Sequence, residues 1–379
     1  MSKKNIRILV DAHKFDHITQ GTTTYIKGVY GEFIKKYKDI YDISFMAHNL
    51  QKLEKEFPDV KPTQLIKLEK DSSRYRLTNG IYNIIKKNKI DFAHFQQIAP
   101  LFKACAYITT VHDLLFNDFP DKFSFAYRKS RNFLFKRSLS LSEIKLTVSE
   151  YSKQSIEKYY GMKNVGITPN AVSSIFFQDY DKNVSVDYIR KKFGIENYIL
   201  FVSRIEERKN HAMLLKAFKE LKLSQQKIAL VFIGKNDIPV NSLNTEIESL
   251  SPQERESFHW LQQINDQDLM EFYKAARLFV YPSLAEGFGI PPIEACALKI
   301  NTLCSNVTAM SDFSFFEENH FDPYNYEAFV KLLNQNIINP APGNTLTKRS
   351  DIVREKYSWG NAADTIHHLI QDELLKRKN

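Results

Sequence analysis

Cysteine is scarce. The 379 residues hold three, Cys105, Cys296 and Cys304, which form no CxxC pattern and cannot all pair. This argues against a disulfide framework or a zinc site and leads us to expect a reducing, cytoplasmic compartment. No apolar stretch is long enough for a signal peptide or a membrane span, so any membrane contact is expected to be peripheral. The glycine-bearing segment after the first strand-like run lacks the G-x-G-x-x-G spacing of a dinucleotide site. Neither an Asp-x-Asp spacing nor a histidine cluster marks a metal site, and no internal repeat is visible. Charge of one sign is not gathered in a block either. Lys and Arg number 53 against 44 Asp and Glu, a formal +9 spread along the chain. Such a balance suits nucleic acid, an anionic membrane surface or an anionic substrate, and its dispersal weakens the nucleic-acid reading.

What is present is a folded α/β pattern. The length suits two domains, and 43% hydrophobic with 26% charged residues is ordinary for a globular protein. Short apolar runs alternate with longer helix-period segments, the pattern of parallel sheets covered by helices. Strands are expected at 6–10, 43–46, 91–95, 107–111, 144–148 and 165–168, then at 198–202, 228–233, 278–281 and 302–305. Helices are expected at 23–37, 75–87, 125–140, 152–160, 211–221, 266–276, 292–298 and 362–376. The polar stretch 178–188 reads as a linker, which gives a first domain over 1–177, a second over 189–356 and a terminal helical segment over 357–379. Both halves look doubly wound, and a cleft at the carboxyl ends of their strands is where open α/β sheets bind ligands.

The chain is organised around Glu286-Gly287-Phe288-Gly289-Ile290-Pro291-Pro292-Ile293-Glu294. An apolar run precedes it and a helical segment follows. Two glycines allow close backbone approach, and Pro near a helix start sacrifices little because the first N–H groups have no partner there. The helix end can hold an anion. Two carboxylates bracket it, and they are explained by a ligand whose hydroxyls donate to them. A sugar nucleotide has both a diphosphate and hydroxyls. The plain alternative is a tight turn with two solvated glutamates. Upstream, Arg204 and Lys209 sit five apart across a second strand-to-helix loop, where a guanidinium fork and a point charge could converge on one diphosphate. Arg208 is a further cation in that loop. His112 ends a buried strand of the first half, and Gly21 opens the first helix after the loop 12–20.

The segment from Glu286 to Glu294 resembles the signature of the family 4 retaining glycosyltransferases, which have the GT-B fold. Gly21, the His112-Asp113 pair, the segment 147–153, Pro169-Asn170 and the Arg204/Lys209 loop resemble further family features. The resemblance implies two Rossmann-like domains and a C-terminal helix crossing back to the first. It also implies a nucleotide-diphosphate sugar as donor substrate, with no cofactor and no metal. Arg204, Lys209 and the N–H groups of Gly287, Phe288 and Gly289 would hold the diphosphate. Glu286 would contact the sugar, Glu294 the ribose hydroxyls, His112 the transferred sugar, and Gly21 would lie against donor and acceptor. The loop from Trp260 would meet the base. Lys299 stands where the family has glycine, so the helix after Glu294 is expected to end differently.

The implied activity is retaining, metal-independent sugar transfer to a glycan or lipid-linked acceptor in bacterial surface polysaccharide assembly, lipopolysaccharide included. The alternatives are a sugar-nucleotide-binding protein that has lost transfer and a basic nucleic-acid binder. One further segment, 123–137, interleaves Phe125, Tyr127 and Phe133 with Arg128, Lys129, Arg131 and Lys136. It reads either as an interfacial helix for an anionic inner membrane or as a core helix with a solvated basic face, and the second is expected.

Overall fold

A computed structural model describes residues 5–16, 21–236 and 239–378. Its contacts divide the chain into two compact units. One runs to Ala171 and regains the chain from Ser358 onward; the other is Val172–Tyr357.

In the first unit seven strands form a wholly parallel sheet: β1 (Ile6–Asp11), β2 (Tyr41–Ala47), β3 (Leu65–Lys67), β4 (Phe92–Gln96), β5 (Ala106–Thr110), β6 (Ile144–Thr147) and β7 (Gly166–Ile167). Their order is β3-β2-β1-β4-β5-β6-β7, with Ile8 in register with Ile43 on one side and Phe92 on the other. Strands such as β4 and β5 are buried throughout. This is why they read as continuous apolar runs rather than alternating ones. Ile81 and Ile85 close one face of the sheet over Leu9, Met46 and Phe95. Phe135, Leu139 and Ile156 meet Val111 in a second cluster.

The second unit repeats the plan with β8 (Tyr198–Val202), β9 (Ala229–Ile233), β10 (Phe258–Leu261), β11 (Leu278–Tyr281), β12 (Thr302–Ser305) and β13 (His320–Phe321). The order is β10-β9-β8-β11-β12-β13, again all parallel. Both sheets therefore reverse winding beside their own first strand, and such a reversal opens a crevice at the strand ends. Among the described residues, no helix is long and apolar enough to cross a membrane.

Three strands escaped the sequence reading, each for a physical reason. β3 and β13 have three and two residues, too few for a period. β10 is only half-buried along its length. The helix expected over 75–87 is present and runs on without a gap from Ser73 to Asn88, with a π-helical turn at Arg76–Gly80 between α-helical Ser73–Tyr75 and Ile81–Asn88. Arg76, in that π turn, lies 2.5 Å from Asp11 at the end of β1, both side chains buried.

The stretch expected to be linker lies wholly within the second unit, and its residues 182–188 belong to the helix Lys182–Phe193. Ser185 and Ile189, four apart, are its buried face. Its polar face gives the stretch a linker-like composition. Asp181 caps its start by accepting the Asn183 N–H at 2.8 Å.

The C-terminal helix, Trp359–Lys376, packs on the first helix, Gly21–Tyr37. The Tyr37 ring stacks on His367 with centroids 4.1 Å apart, and Asp364 accepts from Tyr37 Oη at 2.7 Å and pairs with Lys36 at 2.8 Å. The indole of Trp359 lies flat over Gly28, where a Cβ would sit 2.2 Å from two ring carbons. Gly28 inside a helix is thus a packing requirement, although glycine weakens helices.

Gly28→Ala is therefore expected to lower stability by about 1–3 kcal/mol through overpacking. Gly31→Ala, three residues on and facing open space, is expected to raise stability by about 0.5–1 kcal/mol. Chemical denaturation of the two variants checks both signs. Equal effects would show that the indole does not constrain position 28.

Candidate functional site

The winding reversal of the second sheet brings the loop after β8 beside the loop after β11. The first contains a single 3-10 turn, Glu207–Lys209, ended by Asn210 in left-handed geometry at φ +60°. That turn directs Lys209 inward, and Lys209 and Glu286 are 8% and 7% exposed. Lys209 Nζ donates to Glu286 Oε1 at 2.5 Å. The same oxygen accepts from Ser283 Oγ at 2.7 Å and Tyr281 Oη at 2.9 Å. Arg208 takes the other oxygen at 3.0 Å and also binds the Ala285 carbonyl and Glu206.

The backbone at Glu286 is fixed too. Its N–H donates to Thr308 Oγ1 at 2.9 Å, from a threonine held at φ +53°, a strained setting for a β-branched residue. Burial alone would raise the Glu286 carboxyl. Lys209 and Arg208 overcome it and hold the group down at about 2. Burial pulls Lys209 below the ordinary lysine value, with Glu286 opposing.

Beside this cluster an open cleft of ≈ 510 Å³ is walled by Ser203, Arg204, Gly234, Lys235, Gln263 and Pro291, among others. Arg204 and Lys209 thus take different stations: Arg204 on the cleft wall, Lys209 against Glu286. Gly234 was not singled out from sequence, because one glycine after a strand carries no signal. A Cβ there would lie 1.8 Å from the Ser203 carbonyl oxygen, so only glycine lets the ends of β8 and β9 approach. Trp260 fastens the turn, its Nε1–H donating to the Gly234 carbonyl at 3.0 Å.

Glu294 lies on the helix Ile290–Ala297, one turn beyond Pro291. It accepts a hydrogen bond from Tyr273 Oη at 3.1 Å. Tyr273 is itself one turn beyond Leu269, another residue of the cleft wall. The Glu294 carboxyl is enclosed although part of the side chain reaches the surface. Burial pushes it up to about 7, Tyr273 offsetting only part of the rise. The two glutamates therefore differ in charge behaviour.

Gly289 caps the start of this helix at φ +101°. Pro291 and Pro292 fill its second and third positions, so two of its first three N–H donors are absent. The helix end itself therefore has little to offer an anion, which would have to be held by loop N–H groups and side chains. Gly287 lies in that loop, half-buried. The Phe288 ring is buried against Phe313 and Tyr357, so its side chain belongs to the core and only its backbone is available to a ligand.

The helix does not end differently for want of glycine. Lys299 adopts the left-handed turn itself, at φ +59°. Its N–H bonds the Cys296 carbonyl and that of Ile300 bonds Ala295, the paired bonds of a Schellman motif.

In the first unit, His112 stands just after β5, half-buried, with Nε2–H donating to Gln96 Oε1 at 2.8 Å and Tyr25 edge-on at 5.2 Å. Burial, helped by Lys14, brings its pKa down to about 4, so the ring is neutral near pH 7. Ser152 Oγ donates to the His112 carbonyl at 3.0 Å. The segment 147–153 therefore anchors His112 as well as capping a helix. Asp11, overlooked in the sequence, accepts from His13 Nδ1 at 2.8 Å besides Arg76. Gly21 begins its helix exposed, and a Cβ there would meet nothing within 4 Å. Residues 17–20 of the loop before it lie outside the described residues.

The Asp-x-Asp spacing does occur twice, at Asp179/Asp181 and Asp266/Asp268. Asp181 is a helix cap, and Asp268 accepts from Tyr188 at 2.7 Å and Lys192 at 2.7 and 2.9 Å. Among the described residues no group of three His, Cys, Asp or Glu is arranged to hold a metal.

Comparison with known proteins follows the division of the chain. Residues 186–377 match the sequence profile of Glycosyl transferases group 1, and residues 24–174 that of Glycosyltransferase Family 4. The O-antigen chain mannosyltransferase B of Escherichia coli is 26% identical over 258 residues, 67% of each chain. The O-antigen chain mannosyltransferase RfbU of Salmonella typhimurium is 32% identical over 200 residues, 52% of this chain and 51% of the relative. The chain thus spans about half of RfbU, and only 22% of a matched Escherichia coli mannosyltransferase, WbdA.

In fold it is similar to a glycosyltransferase from Rickettsia africae, with TM-score 0.75, 17% identity, and 98% and 99% of the two chains covered. It is also similar to Anabaena HepE in complex with UDP-glucose, with TM-score 0.73, 14% identity, and 97% and 100% covered. With one profile spanning half the chain, residues 186–377, and a second spanning residues 24–174, the protein belongs to the group 1 glycosyl transferases.

Proposed function

We propose that the protein transfers a hexose, with retention of configuration and without a metal, from a nucleotide-diphosphate sugar to a glycan or lipid-linked acceptor. The observation that carries this reading is the Lys209–Glu286–Arg208 cluster set beside a cleft walled by Arg204 and Lys235. It offers cations for a diphosphate and a fully ionised carboxylate for sugar hydroxyls. The named relatives support mannose as the first sugar to test and surface polysaccharide assembly as the setting. The HepE complex supports a nucleotide-sugar donor. The three free thiols suit a reducing compartment.

In this mechanism the acceptor hydroxyl attacks the anomeric carbon from the leaving-group side. The bond from that carbon to the phosphate oxygen breaks, and the acceptor's proton passes to a donor phosphate oxygen. Arg204 and the N–H groups of Gly287 and Gly289 stabilise the charge gathering on the diphosphate. Glu286 accepts from a sugar hydroxyl in place of Ser283 or Tyr281. Lys209 holds that carboxylate ionised and aligned.

The direct test is a thermal-shift panel of UDP-, GDP- and ADP-sugars, followed by nucleotide release with and without a lipid-linked acceptor. A donor that binds without acceptor-dependent release would mark a binding protein instead.

Two substitutions separate the cations. Arg204→Ala is expected to weaken donor affinity roughly 10- to 100-fold, as for a lost charge-assisted hydrogen bond. Lys209→Ala takes one of its two cations from a buried carboxylate, so it is expected to abolish transfer and also to lower stability by about 3 kcal/mol. Titration calorimetry and denaturant melts distinguish the outcomes, and wild-type donor affinity in Arg204→Ala would remove Arg204 from the site.

Glu294 gives a pH dependence of defined sign. Its folded value of about 7 is above the ordinary 4.5. The folded protein therefore holds an extra proton between those values, and this group's contribution to stability falls as pH rises through that window. Ribose hydroxyls need the ionised form as acceptor. Donor affinity is thus expected to strengthen as pH rises from 6 to 8, with proton release on binding, and the Glu294→Gln variant should be flat. Calorimetry in buffers of different ionisation enthalpy reads the proton. No released proton in the wild type would free Glu294 from that role.

A further inference from the structure

The basic helix Phe125–Leu141 of the first unit is only in part a core helix. Phe135, Ser138 and Leu139 are buried. Phe125 and Phe133, by contrast, are 73% and 67% exposed, far more than a packed aromatic side chain. At the helical repeat, Phe125, Lys136, Lys129 and Phe133 fall within one arc of about 80°, and both lysines are exposed. The helix carries five basic residues, Arg128, Lys129, Arg131, Lys136 and Arg137, and no acidic one. Beyond its end, Glu143 is occupied by Lys103.

A second exposed apolar segment is fastened alongside. Arg137 donates to the carbonyls of Pro100 and Leu101, and Tyr107 Oη holds the Phe102 carbonyl at 2.8 Å. Leu101 and Phe102, 41% and 55% exposed, are thereby fixed against the basic helix.

Singly scattered apolar residues on a surface need no explanation. Aromatic side chains alternating with lysines on one helical arc, beside a tethered apolar loop, do. We propose that this face is a docking surface for an anionic phospholipid bilayer, with Phe125, Phe133 and Phe102 entering the headgroup layer while Lys129 and Lys136 contact lipid phosphates. Charge complementarity selects this occupant: a second copy would bring the same positive face against itself. The inference stands apart from the transferase reading and concerns the first unit alone.

The test is co-sedimentation of the full chain with phosphatidylcholine vesicles made with and without phosphatidylglycerol. The chain is expected to partition onto the phosphatidylglycerol vesicles and to leave them as salt rises. The double variants Phe125→Ser/Phe133→Ser and Lys129→Glu/Lys136→Glu should each lower partitioning roughly tenfold or more. The control Lys191→Glu/Lys331→Glu makes the same net-charge change at exposed lysines of the second unit and should keep it within about twofold. Thermal melts establish that each variant is folded, and the two face variants remove different chemistry, so either can decide alone. Partitioning indifferent to phosphatidylglycerol, or lost equally in the control, would overturn the proposal. So would lipid-free self-association, seen by sedimentation velocity and abolished by Phe125→Ser/Phe133→Ser, which would assign the face to a second copy.

Discussion

A carboxylate that is buried and nevertheless ionised is the constraint on which the second unit depends. Glu286 loses its water and receives Lys209, Arg208, Ser283 and Tyr281 in exchange. Removing one partner from such a set is costly because the remaining charge has no solvent to fall back on. The surrounding peculiarities follow from keeping the set intact. Asn210 accepts left-handed geometry so that the turn can point Lys209 inward, and Thr308 tolerates φ +53° to receive the Glu286 N–H. Strain of this kind persists only where neighbouring structure over-determines it. Here the neighbours are the ends of buried parallel strands.

Sheet order explains why these groups meet at all. In the second unit β8 lies between β9 and β11, so the loops after β8 and β11 emerge side by side at the point where winding reverses. The approach is close enough that Gly234 admits no side chain, and Trp260 ties the carbonyl of that glycine from β10. The first unit has the same reversal between β1 and β4, occupied by the buried Asp11–Arg76 pair. Gln96, at the end of β4, orients His112. One topology thus provides two polar strand-end clusters, each fixed by a buried carboxylate or amide.

Much of this was legible in the sequence, and what was not had local causes. Long buried strands announce themselves as apolar runs, and Glu286, Arg204 and Lys209 stood in a recognisable order. What failed were features whose signal is a contact rather than a pattern. Gly28 and Gly234 look alike in sequence, yet one accommodates an indole and the other a backbone carbonyl. Arg208 read as a spare cation because its partners, Glu286 and the Ala285 carbonyl, lie far along the chain. The supposed linker misled through its polar face, its one buried position, Ser185, being outnumbered. Lys299 misled in the opposite direction, since hydrogen bonds at a helix end can hold a lysine in the conformation glycine prefers.

The prolines of the central motif bear on how an anion can be held there. A helix start ordinarily offers several N–H groups, and its dipole adds to them. With Pro291 and Pro292 at the second and third positions, that offer is largely withdrawn. What the prolines give instead is a rigid entry, φ fixed near −65° without a lost hydrogen bond, directly after a glycine at φ +101°. Pro291 can then form cleft wall while Glu294, one turn on, is buried with Tyr273. The motif is therefore better understood as a device for placing side chains than as a dipole site. Electrostatic attraction for a phosphate must come from cations outside it, on the loops that follow β8 and β9, where Arg204 and Lys235 line the cleft.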